Sequence, residues 1–299
     1  MSLDLSVMRD ATSWESPSKL KDFLGQQLRR GRLALVLGAG ASFGFGLPGW
    51  RALVDDMFAE VGQTAPAALS PTEASDRLYI DVLGKDEAKL VDLLQRVLYR
   101  RFDSRLDTLR QNQLLTGLAA LVVQSGRGRA SRIVTFNFDD VLEQFLRYFG
   151  LTVDSISTMP SWASAADVRV YHPHGFTPQS GVRKSERVVF TQLQYDRLVG
   201  DNEMWEMLLL ETFSSHTCLF IGLSGDDQHL RSLLARADQK HVAKARHDAF
   251  WGVRFGDAKD GNGAIWSDRG VFPVVLSDYG DLPSWMFEIC QAAAEQVST

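Results

Sequence analysis

Leu33-Ala34-Leu35-Val36-Leu37 runs directly into Gly38-Ala39-Gly40-Ala41-Ser42, with Gly46-Leu47-Pro48-Gly49-Trp50 close behind. Five consecutive apolar residues followed by glycines read as a strand buried on both faces that ends in a tight turn. Glycines at that point let the backbone reverse and approach a pyrophosphate, whose charge the N–H groups of a following helix can meet. Ser42 adds a hydroxyl donor. A strand–helix turn without a ligand also fits these residues. The run departs from the dinucleotide fingerprint in two places. Phe43 stands where a third glycine belongs, and no acidic strand end follows about 20 residues on. Asp55 and Asp56 fall instead in a helical pattern. Both departures tell against a hydride-transferring dehydrogenase.

Outward from this stretch, short apolar runs alternate with longer helical patterns. Strands are predicted over 33–37, 132–136, 169–171, 218–222, 249–253 and 271–276. Helices are predicted over 18–29, 50–61, 87–99, 112–124, 139–148, 228–237 and 284–296. Such alternation predicts an α/β fold, a doubly wound parallel sheet. The first two strands are separated by about 95 residues, far more than one crossover helix needs. Residues 51–126 are therefore read as a helical insert within a single domain spanning 1–299.

Composition narrows the field. A chain of 299 residues, 45% hydrophobic and 23% charged, can bury one substantial core, or one core plus a smaller satellite. A net charge of −5 gives no standing attraction to nucleic acid or an anionic membrane. Its only cysteines, Cys218 and Cys290, cannot build a four-cysteine zinc site and are too few for a disulfide framework. The longest apolar runs, 33–37 and 118–123, fall well short of the roughly 20 residues that span a bilayer. Residues 1–10 carry acidic side chains and lack the order of a secretion signal. A cytoplasmic protein without a metal is the expectation.

Three more polar clusters sit at predicted strand ends, where parallel sheets bind ligands. Thr135-Phe136-Asn137-Phe138-Asp139-Asp140 follows the second strand. Asn137 or Asp139 can cap the helix beginning near Asp140, though both need not be caps. Tyr171-His172-Pro173-His174-Gly175 follows the third. Its histidines are structural, ligand-facing or a metal pair, and no neighbouring donors complete a metal site. Phe220-Ile221-Gly222-Leu223-Ser224-Gly225-Asp226-Asp227 is another strand, glycine turn and helix start, with Asp226 or Asp227 as a natural N-cap.

Taken in order, Gly38-Ala39-Gly40-Ala41-Ser42 with Gly46-Leu47-Pro48, Thr135-x-Asn137-x-Asp139, His174-Gly175 and Gly222-x-Ser224 resemble the motifs of the sirtuin superfamily. The likeness covers roughly residues 33–230. It is nearest to the bacterial sirtuin-like NAD hydrolases found in anti-phage defence. The resemblance implies a Rossmann-like domain that takes NAD as substrate. It places Gly38, Ala39, Gly40 and Ser42 at the phosphates and Gly222 and Ser224 at the adenosine end. Pro48 and Thr135 complete the implied binding set. Asn137 and Asp139 would lie at the nicotinamide and its ribose, with His174 as the catalytic histidine, and residues 277–280 would cover the adenine. Protein deacylases of the superfamily follow Gly-Ile-Pro with Asp-Phe-Arg and carry a four-cysteine zinc module. Here Pro48 is followed by Gly49-Trp50-Arg51, and the zinc module cannot form.

What survives is cleavage of the nicotinamide–ribose bond. It passes through an oxocarbenium-like state whose leaving group is already cationic, so no acid is needed to protonate it. Negative or dipolar groups near the ribose and a base for the attacking oxygen are what help. Asp139, Asn137 and His174 are of those types. The alternatives are an NAD- or ADP-ribose-binding regulatory module and, further off, a protein deacylase or ADP-ribosyltransferase. A free NAD hydrolase endangers its own cell, so a homo-oligomer or a separate regulatory protein is expected to restrain it.

Overall fold

A computed structural model describes residues 14–42, 44–123, 125–126, 128–161, 165–180, 188–195, 203–225, 228–242, 250–257 and 263–295. The chain opens with α1 (Pro17–Arg29) and β1 (Leu33–Leu37). A helical stretch follows: α2 (Trp50–Glu60), α3 (Pro71–Arg77), α4 (Glu87–Leu98), α5 (Leu106–Gln111) and α6 (Gln113–Val122). Then come β2 (Arg132–Thr135), α7 (Val141–Tyr148), β3 (Val153–Ile156) and β4 (Val168–Tyr171). The last part holds α8 (Glu203–Ser215), β5 (Thr217–Ile221), α9 (Gln228–Val242), β6 (Gly252–Asp257), α10 (Gly263–Ser267), β7 (Val271–Leu276) and α11 (Leu282–Glu295).

The strands form one seven-stranded sheet in the order β3-β4-β2-β1-β5-β6-β7, and its pairings are parallel. β1 lies beside β5 with Leu33 opposite Thr217 and Leu37 opposite Ile221. Every residue of β1 is buried, which explains its unbroken apolar run. The edge strands differ. β3 is half-buried at three of its four positions, and β7 carries Pro273, which an edge tolerates because it has no N–H to give a neighbour. The predicted strand over 249–253 is displaced: β6 runs Gly252–Asp257, and residue 249 lies outside the described residues.

The chain divides into two compact units. The first holds residues 1–37, 113–134 and 207–299. In it, α11 packs on both α1 and α6. Glycines permit the close approach: a Cβ on Gly25 would lie 2.8 Å from the Ala293 nitrogen, and one on Gly117 2.8 Å from the Met286 sulfur. Trp266 is fully buried here, its ring 5.2 Å from Phe220 and 5.7 Å from the Arg254 guanidinium. The indole N–H has no hydrogen-bond partner among the described residues. Trp266→Ala is expected to cost about 3–5 kcal/mol in lost burial and cavity. Trp266→Phe removes an unsatisfied donor along with the second ring and should cost markedly less. Denaturant midpoints of the two variants check this, and equal losses would refute it.

The second unit holds residues 38–112 and 135–206. Its core gathers Val54, Met57 and Phe58 of α2, Leu90 and Leu94 of α4, Leu78, Tyr79 and Phe190. Local signals set the helix starts. Ser70 and Glu73 form a capping box before α3, and the Asp86 side chain accepts from the Lys89 N–H at 3.1 Å before α4. Of the stretch 51–126, the helices up to Gln111 lie in this unit and α6 lies in the first. No described helix is long and apolar enough to cross a membrane.

Candidate active site

The glycine turn after β1 closes quickly. The Ala41 N–H donates to the Gly38 carbonyl at 2.8 Å, and Ala39–Ser42 forms a single 3-10 turn. Gly38 is buried, Ala39 exposed and Gly40 half-buried. The next α-helix, α2, starts where the sequence predicts it, at Trp50, with Gly49 as its N-cap and half-buried Pro48 just before it. In between, Gly44 and Gly46 hold φ values of 95° and 79°, which break helical continuation. A Cβ on Gly46 would stand 2.6 Å from the Arg101 carbonyl oxygen, so the loop is seated closely. Backbone N–H groups of the 39–42 turn, not a helix N-terminus, are what this place offers an anion. Phe43 lies outside the described residues.

Ser42 is buried, and its hydroxyl joins two side chains from the end of β2. It donates to Asp139 Oδ1 at 3.1 Å and accepts from Asn137 Nδ2 at 3.0 Å. The Asn137 N–H donates to Thr135 Oγ1 at 3.1 Å. Asp139 Oδ1 also accepts from the Val141 N–H at 3.2 Å. Asp139 thus serves the helix start as well as the cluster, while Asp140 is the backbone N-cap of α7. Burial pushes the Asp139 carboxyl up to about 6. The Ser42 and Val141 hydrogen bonds hold it down in part, and the nearby Glu143 and Asp140 carboxylates add to the rise.

The histidines after β4 have different surroundings. The His172 ring is fully buried, with Nε2 2.6 Å from Glu143 Oε1 and Nδ1 3.3 Å from the Asn137 carbonyl oxygen. His174 is also buried. Its ring meets Phe136 edge-on at 5.0 Å and Tyr195 at 6.0 Å, and its carbonyl accepts from the Val189 N–H at 2.8 Å. Gly175, at a φ of 75°, turns the chain away immediately afterwards. The Thr177 N–H then donates to the Phe138 carbonyl at 2.8 Å, tying this loop to the one after β2. Among the described residues no three His, Cys, Asp or Glu side chains are gathered to hold a metal ion.

A second polar knot adjoins the first. The Tyr99 hydroxyl lies 2.8 Å from Asp140 Oδ1 and 2.7 Å from the Thr177 carbonyl oxygen, and it accepts from the Asp140 N–H at 3.0 Å. Burial raises the Asp140 carboxyl, and the Glu143 charge adds to this. Burial likewise raises the Tyr99 hydroxyl, helped by the two aspartates. Nothing near Tyr99 in sequence marks it. Glu143 carries a readable signal: a carboxylate among Val141, Leu142, Phe145 and Leu146, one helical turn after Asp139.

Gly222 and Ser224 belong to the first unit, in the turn after β5. Gly222 is half-buried with a φ of 72°, and Ser224 is exposed. Gly225 follows at a φ of 83°, where a Cβ would come within 3.0 Å of Trp266 Nε1. Arg254 Nη2 donates to the Leu223 carbonyl at 3.4 Å. Asp226 and Asp227, the candidate caps, lie outside the described residues. Of residues 277–280, Asp278 accepts from the Gly280 N–H at 2.7 Å and caps a short turn leading into α11.

With Thr135, Asn137, Asp139 and His174 thus placed, comparison with known families becomes specific. Residues 131–274 match the family model described as a SIR2-like domain. The SIR2-like span takes in Thr135, Asn137, Asp139, Glu143, His172, His174, Gly222 and Ser224. The glycine turn and Ser42 precede it. No curated protein matches the chain. Among solved structures, one described as "Structural Basis for the Mechanism and Regulation of Sir2 Enzymes" is similar to it. It shares 11% identity over 93% of this chain and 98% of its own, with a TM-score of 0.45.

Proposed function

We propose that the chain binds NAD and hydrolyses its nicotinamide–ribose bond, releasing nicotinamide and ADP-ribose, or a cyclic product if an internal hydroxyl attacks. The observation that carries this reading is the Ser42 hydroxyl bonded to both Asn137 and Asp139. It joins the glycine turn to an amide and a buried carboxyl, the groups that cleavage with a cationic leaving group needs. The SIR2-like match over 131–274 supports the same reading. The donor set of the turn suits a pyrophosphate. Gly38, Ala39 and Gly40 present backbone N–H groups beside little side-chain bulk, and no carboxylate occurs among residues 38–42. The Ser42 proton is directed to Asp139, so phosphate contact falls to the turn's amides.

Bound there, NAD supplies the bond to be broken and a leaving group that departs with the bonding electrons and needs no proton. The chain's own groups do the rest. Asp139, as carboxylate, offsets the positive charge that develops at the ribose. Asn137 directs its amide toward a ribose hydroxyl or the attacking water. His174 accepts the proton the water gives up as its oxygen bonds to the ribose carbon. We further propose that the activity is a restrained, NAD-depleting effector of bacterial anti-phage defence in the cytoplasm. Self-association or a separate regulatory protein acting through residues 51–126 would hold it in check.

Incubating the purified protein with NAD and separating the products by chromatography tests the reading. Nicotinamide and ADP-ribose, or its cyclic form, are expected to appear in step with NAD loss. Tight calorimetric binding with NAD recovered intact would replace the enzyme by a binding module. Deacylation of an acyl-lysine peptide would replace it by a deacylase.

A further inference from the structure

We infer that Glu143 and His172 are positioning residues that set Asn137 for its work, an inference that rests on the NAD-cleaving reading. The hydrogen-bond chemistry is unambiguous at one end. The Asn137 carbonyl oxygen can only accept, so a hydrogen bond across the 3.3 Å to His172 Nδ1 requires the proton on Nδ1. At the other end, Nε2 faces Glu143 Oε1 at 2.6 Å, and that oxygen also accepts from the Ser155 hydroxyl at 3.1 Å. Burial alone would push the Glu143 carboxyl up. The His172 charge and hydrogen bond, with help from Ser155, bring it below its usual range. The His172 N–H in turn donates to the Ile156 carbonyl at 2.8 Å, extending the ladder between β3 and β4.

These contacts fix the Asn137 main chain from both sides. Its N–H is taken by Thr135 Oγ1 and its carbonyl by His172, and from that fixed main chain the side chain reaches Ser42. Stability alone does not account for the pair. Both side chains are essentially sealed from solvent, at 0% and 2% exposure, and two well-packed apolar residues commonly stabilise such a place as well or better. What an apolar pair lacks is the N–H directed at the Asn137 carbonyl.

Three variants test this: Glu143→Gln, His172→Phe, and Glu143→Leu combined with His172→Phe. Glu143→Gln replaces the acceptor of the Nε2 proton with an amide N–H that donates to Nε2, which leaves the ring's proton on Nδ1, so kcat for NAD cleavage should stay within about threefold of wild type. The double variant leaves no buried charge unpaired and should fold even if His172→Phe alone does not. Its kcat is expected to fall about 10- to 100-fold while KM stays within about threefold, because the pair acts on orientation. Amide exchange at residues 136–140 should quicken about tenfold in the double variant and stay unchanged in Glu143→Gln. Wild-type kcat and wild-type exchange in the double variant would overturn the inference. If the wild-type protein neither binds nor cleaves NAD, the NAD reading fails separately. The exchange comparison needs no NAD and still decides: quickened exchange supports the pair's role, and unchanged exchange refutes it.

Discussion

Asn137→Ala and His174→Gln should each lower nicotinamide release by about a hundredfold or more while the protein stays folded. Removing a positioned base typically costs about 10²–10⁴ in rate, and losing the side chain that orients the attacking water costs about 10². The expected structural costs are small by comparison. Asn137 is only half-buried, and its side-chain bond ends on a hydroxyl that keeps its link to Asp139. His174 is buried against Phe136, and glutamine fills much of the imidazole's space while discarding its basic nitrogen. A shift in the melting midpoint of only a few degrees, with activity lost, is the expected pairing, since about 1 kcal/mol moves a protein of this size by roughly 1–2 °C. Full activity in either variant would refute the role assigned to that residue.

Asp139→Asn should separate stability from activity. The folded protein holds the Asp139 proton with a pKa of about 6, above the usual 3.8, mainly because the carboxyl is buried. The proton therefore binds the folded state more tightly than the unfolded one. The resulting stabilisation is complete below about pH 4 and is lost as the pH rises through about 6. At pH 8 the ionised group costs the fold on the order of 3 kcal/mol. Asparagine carries no charge to bury and keeps an oxygen for Ser42 and the Val141 N–H. The variant should thus gain on wild type at pH 8 and lose that advantage near pH 4, as denaturant unfolding at the two values will show. Its NAD cleavage should fall about 10²–10³-fold. Wild-type activity should rise through about pH 6 as Asp139 ionises. A stability difference equal at both pH values would refute the burial argument.

Much of this architecture is legible in the sequence because parallel strands buried on both faces leave apolar runs. β1, β2, β4, β5 and β7 stand where such runs predict them. β3 escapes that reading because an edge strand with Asp154 and Ser155 half-exposed leaves no run. β6 lies further along than predicted because Arg254, although buried, and Gly256 and Asp257 do not look like strand interior. α8 is hidden for the opposite reason. Met204, Trp205, Met207, Leu208, Leu209 and Leu210 are apolar nearly all round, so no stripe emerges at helical spacing. In the candidate site, polar residues at strand ends announce Thr135, Asn137 and Asp139. Tyr99 and Ser155 do not announce themselves so directly, since a side chain that works from a distant helix or strand leaves little local pattern.

The pairing of β1 with β5 carries a consequence for how this protein is made. β1 is the first strand of the sheet to leave the ribosome, and its partner emerges about 180 residues later. At translation speeds of about 5–20 residues per second, that delay is roughly 10–40 seconds. β2, its neighbour on the other side, arrives only about 100 residues after it. Until β2 arrives both backbone edges of these five apolar residues stay open to neighbouring nascent chains, and the β5 edge stays open for the whole interval. Soluble yield in a heterologous host should therefore depend on chaperone supply and on slow, cool expression more than on the stability of the finished molecule.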